Sequence, residues 1–82
     1  MKTVQISLNS IGKVKSFVNA ITQFDYDFDL ISGRYVIDAK SIMGIFSLDL
    51  SKPIDLAIHT EDNLDDVMEV LKPYLCGNYS DA

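Results

Sequence analysis

The chain has 82 residues, of which 48% are hydrophobic and 23% are charged, and its formal net charge is −5. This length predicts a single domain spanning residues 1–82, and the composition is that of a soluble globular protein rather than a disordered, fibrous or membrane protein. Twelve Asp and Glu against seven Lys and Arg make binding to the phosphate backbone of a nucleic acid unfavourable.

The chain contains one cysteine, Cys76, and one histidine, His59. A single cysteine excludes an internal disulfide and suits a reducing compartment, and these two residues are too few ligands for a zinc site. No apolar run reaches the ~18 residues of a membrane span, and the first residues lack the apolar segment of a signal peptide. We therefore expect a cytoplasmic protein without metal or cofactor, and the small core favours a binding module over an enzyme.

Alternating hydrophobic residues predict a first strand over residues 2–8. Ser10 then offers a side-chain oxygen that can cap a helix. Hydrophobic residues recur after Ser10 at spacings of three and four, which predicts an amphipathic helix of about four turns with Lys13 and Lys15 facing outward. Its predicted buried face comprises Ile11, Val14, Phe17, Val18, Ile21 and Phe24.

Alternation resumes over residues 25–30 and predicts a second strand, and a third is predicted to begin at Tyr35. The Ser32-Gly33 pair between them predicts a two-residue hairpin loop, because glycine supplies the positive φ that such loops need. The two strands are thus expected to be antiparallel neighbours. A solvated sheet face, rather than a cation site, is expected for the three outward aspartates Asp25, Asp27 and Asp29.

A short helix capped by Ser41 is predicted over residues 41–47, although Gly44 costs such a helix about 1 kcal/mol relative to alanine. A fourth strand is predicted over residues 54–59, with His59 on its outward, solvated side.

The last helix is predicted to begin in the segment Thr60-Glu61-Asp62 and to stop at Cys76-Gly77. The order β-α-β-β-α-β-α then predicts an open-faced sandwich, in which helices cover one face of a four-stranded sheet whose other face is polar. The predicted buried stripe of the last helix is Leu64, Val67, Met68, Leu71 and Leu75.

This element order, together with the segment Ser41-Ile42-Met43-Gly44, resembles HPr, the small phosphocarrier of the bacterial sugar phosphotransferase system. The Ser-Ile-Met-Gly string is similar to the second-helix motif of HPr proteins from Gram-positive bacteria. The resemblance extends over nearly the whole chain. It implies the fold class α+β: an open-faced β-sandwich with a four-stranded antiparallel sheet and helices on one face.

The resemblance implies a phosphorylatable histidine at the start of the first helix, followed by an arginine two residues later and then a proline. Aligned without gaps on Phe17-Val18, the sequence places Ser10 at the histidine position. Gly12 then stands at the arginine position and Lys13 at the proline position. A serine phosphate is a stable ester, and serine is a weak nucleophile without an activating base. We therefore expect no catalytic residue and no phosphocarrier reaction, and Ser10 is expected to act as a helix cap.

The second implied position is a regulatory serine at the start of the second helix, and Ser41 matches it. In the family this serine is phosphorylated by a dedicated kinase, HPr kinase. A phosphate there would lie at free backbone N–H groups and add about −1.5 to −2 charges. A helix cap without phosphorylation is the alternative interpretation of Ser41.

The predicted partner-binding residues are Lys13 and Lys15 on the first helix and Ile42, Met43 and Phe46 on the second. By default the two lysines belong to a solvated helix face, and the three apolar residues are as typical of a core as of an interface. We expect a monomeric regulatory or protein-binding module whose partners are proteins of the phosphotransferase or catabolite-control type, with no nucleic acid and no membrane. The alternatives are a working phosphocarrier with a non-standard phosphoacceptor and an interaction domain unrelated to sugar transport.

Overall fold

The computed structural model describes residues 2–76, which form four strands and three α-helices in the predicted order. A 3₁₀ helix, Lys72–Tyr74, follows the last α-helix at Pro73, which lacks the N–H that a helix interior requires. Gly77, part of the predicted helix stop, lies outside the described residues. The strands are β1 (Lys2–Ile6), β2 (Asp27–Ser32), β3 (Tyr35–Asp38) and β4 (Ile54–His59), and the helices are α1 (Ile11–Thr22), α2 (Ile42–Phe46) and α3 (Leu64–Leu71).

The four strands form one sheet in the order β1-β4-β2-β3, and every neighbouring pair is antiparallel. One face of the sheet and the inner sides of α1 and α3 form a single hydrophobic core, while the other face is open. The predicted α+β open-faced sandwich is therefore confirmed. Fully buried side chains in this core include Ile6, Phe17, Ile21, Phe28, Leu30, Leu56, Ile58 and Leu71.

The two edges of the sheet differ. Along the second half of β1, the backbone of the segment after α3 runs beside the strand and bonds to it. The Ser7 N–H donates to the Tyr74 carbonyl at 2.8 Å, and the Cys76 N–H donates to the Gln5 carbonyl at 3.1 Å. A bridge between Ile6 and Leu75 lies between these two bonds. At the other edge, β3 pairs with β2 on one side only.

The hairpin loop differs by one residue from the prediction. Ser32 pairs with Tyr35 at the end of the ladder, so the loop residues are Gly33 and Arg34 rather than Ser32 and Gly33. Gly33 has a φ of 61° and Arg34 has a negative φ, which is the φ pattern of a type II′ turn. The prediction identified the glycine correctly but placed it at the second loop position, whereas this turn requires it at the first.

The start of α3 also differs from the prediction. Residues 60–62 form a turn, in which the Thr60 hydroxyl accepts the Asp62 N–H at 3.0 Å, and the helix begins at Leu64. Asn63 precedes it with a φ of 56°, and its side chain gives no cap bond. The Asn63 amide instead donates to the Tyr26 hydroxyl at 2.7 Å, which ties this turn to the segment before β2. Within residues 2–76, no helix has the length and apolarity needed to cross a bilayer.

Candidate functional surface at the start of the first and second helices

Ser10 is the N-cap of α1. Its backbone is extended, with φ −149° and ψ 157°, and its hydroxyl oxygen accepts the Lys13 N–H at 3.1 Å. This bond satisfies one of the N–H groups that the first turn of a helix leaves without an intrahelical partner. Gly12 is exposed, and a Cβ built there meets nothing within 4 Å. The position aligned with an arginine therefore has open space around it.

Ser41 caps α2 in the same way. Its hydroxyl oxygen accepts the Gly44 N–H at 3.3 Å, and its own N–H donates to the Asp38 carbonyl at 3.0 Å. A Cβ on Gly44 would lie 3.3 Å from the Ser41 hydroxyl oxygen and 3.4 Å from Ile37 Cδ1. The glycine of the Ser-Ile-Met-Gly string thus permits a close approach of the turn to the serine, a role that the helix-propensity argument does not reveal.

The apolar residues of α2 divide between core and surface. Ile45 is buried, and Ile42 is half-buried against the core. Met43 is 81% exposed and Phe46 is 39% exposed. Because the helix has only five residues, it cannot turn every apolar side chain toward the sheet. Of the three apolar residues predicted to bind a partner, Met43 and Phe46 are therefore accessible and Ile42 is only partly so.

The start of α1 and the end of α2 form the two walls of one shallow cleft. Ile11, which the sequence pattern placed on the buried face of α1, is 63% exposed at its mouth. Ile11 is the first residue of the helix, directly after the cap, and the buried residues of α1 begin one turn later at Val14. We call this feature the α1–α2 cleft; it has a volume of about 500 Å³ and is lined by Asn9, Ser10, Ile11, Phe46, Leu50 and Ser51.

The charges around the cleft are mixed. Lys13 and Lys15 are both exposed on α1, as expected from the helical pattern. Next to the lining residues Leu50 and Ser51, Asp49 accepts hydrogen bonds from the hydroxyl of Ser51 at 2.6 Å and from its backbone N–H at 3.1 Å. These two bonds hold the pKa of Asp49 below its usual value, because they stabilise the ionised carboxylate. They also fix Ser51 at the cleft wall.

His59 lies far from this cleft. It is at the C-terminal end of β4 on the open face of the sheet, whereas Ser10 follows the end of β1 that pairs with Ile54. His59 is five positions after Ile54 in the strand, which corresponds to roughly 16 Å along the sheet. The His59 Nε2 atom lies 2.8 Å from an Asp29 carboxylate oxygen, and both side chains are about one-third exposed. The surface position predicted for His59 is therefore found.

The outward aspartates of the second strand do not converge with other ligands. In the part of the chain that the structure describes, no group of three or more His, Cys, Asp or Glu side chains is arranged to hold a metal ion. Asp29 is engaged by His59, and Asp27 faces solvent.

The chain was compared with protein-family models, with curated protein sequences and with solved structures. No protein-family model and no curated protein sequence matches the chain. Among solved structures, HPr-C-His from Thermoanaerobacter tengcongensis superimposes with a TM-score of 0.72 at 24% identity, covering 88% of this chain and 89% of that one. The phosphocarrier protein HPr from Bacillus anthracis superimposes with a TM-score of 0.63 at 26% identity, covering 84% of this chain and 88% of that one.

Both similarities span almost the whole of each chain, so they concern the complete arrangement of sheet and helices rather than one supersecondary motif. The four-stranded antiparallel sheet and the element order point to the same group of proteins. Fold, element order and these two similarities together show that the chain has an HPr-like fold.

Proposed function

We propose that this HPr-like protein is a regulatory, protein-binding module of a bacterial phosphotransferase system, and that it does not relay phosphate through a histidine. It acts in the cytoplasm as a single domain over residues 1–82, without a metal or cofactor, and it is not an enzyme. The HPr-like fold supports the phosphotransferase-related role. The observation that carries the rest is the N-cap of α1, where a serine occupies the position aligned with the phosphorylated histidine.

The chemistry of phosphate relay explains why this position decides the function. A phosphohistidine holds its phosphate through a labile P–N bond and passes it on, whereas a phosphoserine ester is stable. The hydroxyl of Ser10 is bonded to the Lys13 N–H, and no base among the described residues accepts its proton. The only imidazole of the chain, on His59, lies on the other face of the sheet. Nothing at the start of α1 therefore provides an activated nucleophile.

The α1–α2 cleft supports the binding role. It brings the two regions predicted from the sequence together, because Ser10 and Phe46 line the same cavity. Exposed apolar groups on Ile11, Met43 and Phe46 give a partner apolar area to cover. Two exposed lysines, Lys13 and Lys15, lie on α1 next to this surface, in a chain whose net charge is −5. A partner surface that combines apolar and acidic side chains is complementary to this one.

Phosphate transfer from enzyme I, the donor to HPr in the phosphotransferase system, tests the proposal directly. We expect the purified protein, incubated with enzyme I and phosphoenolpyruvate, to acquire acid-labile phosphate only at the background level. A genuine HPr in the same reaction provides the positive control. Stoichiometric acid-labile phosphate on this chain would contradict the proposal and establish a phosphocarrier with a non-standard acceptor.

Ser41 is the proposed regulatory site of the module. Its hydroxyl is exposed, two residues before the exposed side chain of Met43, and a phosphate there adds about −1.5 to −2 charges beside the apolar surface. We expect HPr kinase and ATP to label the wild-type protein and the label to fall at least ~10-fold in Ser41→Ala, measured by intact mass.

Ser47 offers a matched control for this experiment. It is also exposed and also lies at an end of α2, where its hydroxyl donates to the Gly44 carbonyl at 2.6 Å. A Ser47→Ala variant should be labelled as well as the wild type. Label that persists in Ser41→Ala would remove Ser41 from the proposal. If the protein binds neither HPr kinase nor any phosphotransferase protein, an interaction domain outside sugar transport is favoured.

A further inference from the structure

We propose that two copies of this chain associate through the free edge of β3, joining two four-stranded sheets into one continuous sheet. This self-association departs from the monomer expected from the sequence, goes beyond the proposed function and uses a different part of the molecule from the α1–α2 cleft. β3 is the last strand of the sheet, and its first two side chains are apolar and unusually accessible: Tyr35 is 70% exposed and Val36 is 62% exposed. The occupant that fits this edge is a second β3.

The backbone of β3 has hydrogen-bonding groups available for such pairing. The Ala39 N–H donates to the Phe28 carbonyl of β2 at 2.8 Å. Because hydrogen bonding alternates along an antiparallel pair, Ala39, Ile37 and Tyr35 direct their backbone groups toward β2. The intervening residues Val36 and Asp38 therefore direct theirs toward the open edge. The Asp38 carbonyl already accepts the Ser41 N–H, which leaves the Asp38 N–H and both groups of Val36.

Charge complementarity selects one antiparallel register for two copies. When the pairing is centred on Val36, each Arg34 lies opposite Asp38 of the second copy. Centring it on Asp38 instead would place two carboxylates opposite each other, which is destabilising. The favoured register also sets Val36 against itself and Tyr35 against Ile37 of the second copy, so apolar side chains meet on both faces of the joined sheet.

Arg34 and Asp38 are both accessible to a second copy of the chain. Arg34 is exposed, and its side chain makes no hydrogen bond or ion pair with any other residue in the range 2–76. Asp38 lies directly opposite Asp29 in the ladder, and one of its carboxylate oxygens accepts the Lys40 N–H at 2.9 Å, so the other oxygen is left for a cation. An arginine from the second copy would place a positive charge beside this pair of carboxylates.

A charge-reversal cycle tests the pairing. Sedimentation equilibrium of the full chain, from 10 µM to 1 mM (roughly the range in which weak contacts of this size are measurable), should show reversible dimerisation of the wild type. Arg34→Asp and Asp38→Arg each place like charges opposite each other, and we expect either change to raise the dissociation constant at least ~10-fold. The double variant Arg34→Asp/Asp38→Arg restores opposite charges and should return the constant to within ~3-fold of the wild type.

A second readout locates the contact. Because the Val36 N–H is free in the single chain and bonded in the pair, its hydrogen exchange should slow with protein concentration, whereas that of the already bonded Ala39 N–H should not. Far-UV circular dichroism checks that all variants are folded, which is expected because both charged side chains are exposed. A wild type that stays monomeric at 1 mM, or a double variant that does not recover, would overturn the proposal and leave the phosphorylation experiments unaffected.

Discussion

Replacing Ser10 by histidine and Gly12 by arginine in one chain is expected to turn this protein into an acceptor of phosphate from enzyme I. We expect acid-labile phosphate to rise at least ~100-fold above the wild-type background, because the change supplies a nucleophile with a pKa near 7 and a guanidinium fork for the phosphoryl group. The structure favours tolerance of both residues: Ser10 is exposed, and the space around Gly12 is open.

The double variant is expected to stay folded, because the change lowers the free energy of unfolding by only a fraction of its total. Losing the Ser10 cap costs about 1 kcal/mol, against roughly 4–12 kcal/mol expected for a chain of this length. His59→Gln in the same background is the control, and it should leave the label unchanged because His59 lies on the open face of the sheet. If the folded double variant acquires no label, enzyme I does not dock at the α1–α2 cleft. If the label is lost in the His59→Gln control, the phosphate is on His59 and not on the histidine introduced at position 10.

Truncation of Phe17 to alanine is expected to lower the folding free energy by about 3–5 kcal/mol. Phe17 is fully buried in the core, and its ring meets that of Tyr74 edge to face with centroids 5.6 Å apart. Phe→Ala changes at such positions cost about 3–5 kcal/mol, which is comparable with the lower part of the stability expected for 82 residues. Urea unfolding followed by circular dichroism should show a free energy of unfolding lower by about 3–5 kcal/mol than that of the wild type, or no folded baseline at all.

Phe46→Ala is the matched control for this change. It removes the same ring from α2, where the side chain is 39% exposed, and the loss should stay below about 1 kcal/mol. Equal destabilisation by the two variants would mean that Phe46 is a core residue, and it would withdraw Phe46 from the proposed partner surface.

The sequence predicts the fold well because hydrophobic periodicity decides it. The alternation in β1 and the three- and four-residue spacing in α1 each leave one side apolar, and one sheet with helices on a single face buries both. Departures occur where local turn geometry decides. Gly33 occupies the first loop position rather than the second, and Asn63, directly before α3, has a positive φ that no periodic pattern encodes.

For the candidate site, the sequence predicts the roles of single residues but not the cleft that they form together. Capping by Ser10 and Ser41 follows from local chemistry, and the structure has both bonds. That Ile11 and Phe46 face each other across one cleft is a consequence of how α1 and α2 pack, and their separation in the chain gives no sign of it. The pattern that assigns Ile11 to the core treats the first helical turn like the later ones, although only the later ones lie over the sheet.

The asymmetry between the edges of the sheet limits how far these molecules can assemble. At the β1 edge, the backbone after α3 already occupies the groups of Gln5 and Ser7, so a neighbouring molecule has little to add there. A contact in which β3 meets β3 is related by a two-fold axis and uses up the β3 edge of both molecules. Assembly through this edge therefore closes at two chains and leaves no β3 strand open to a third.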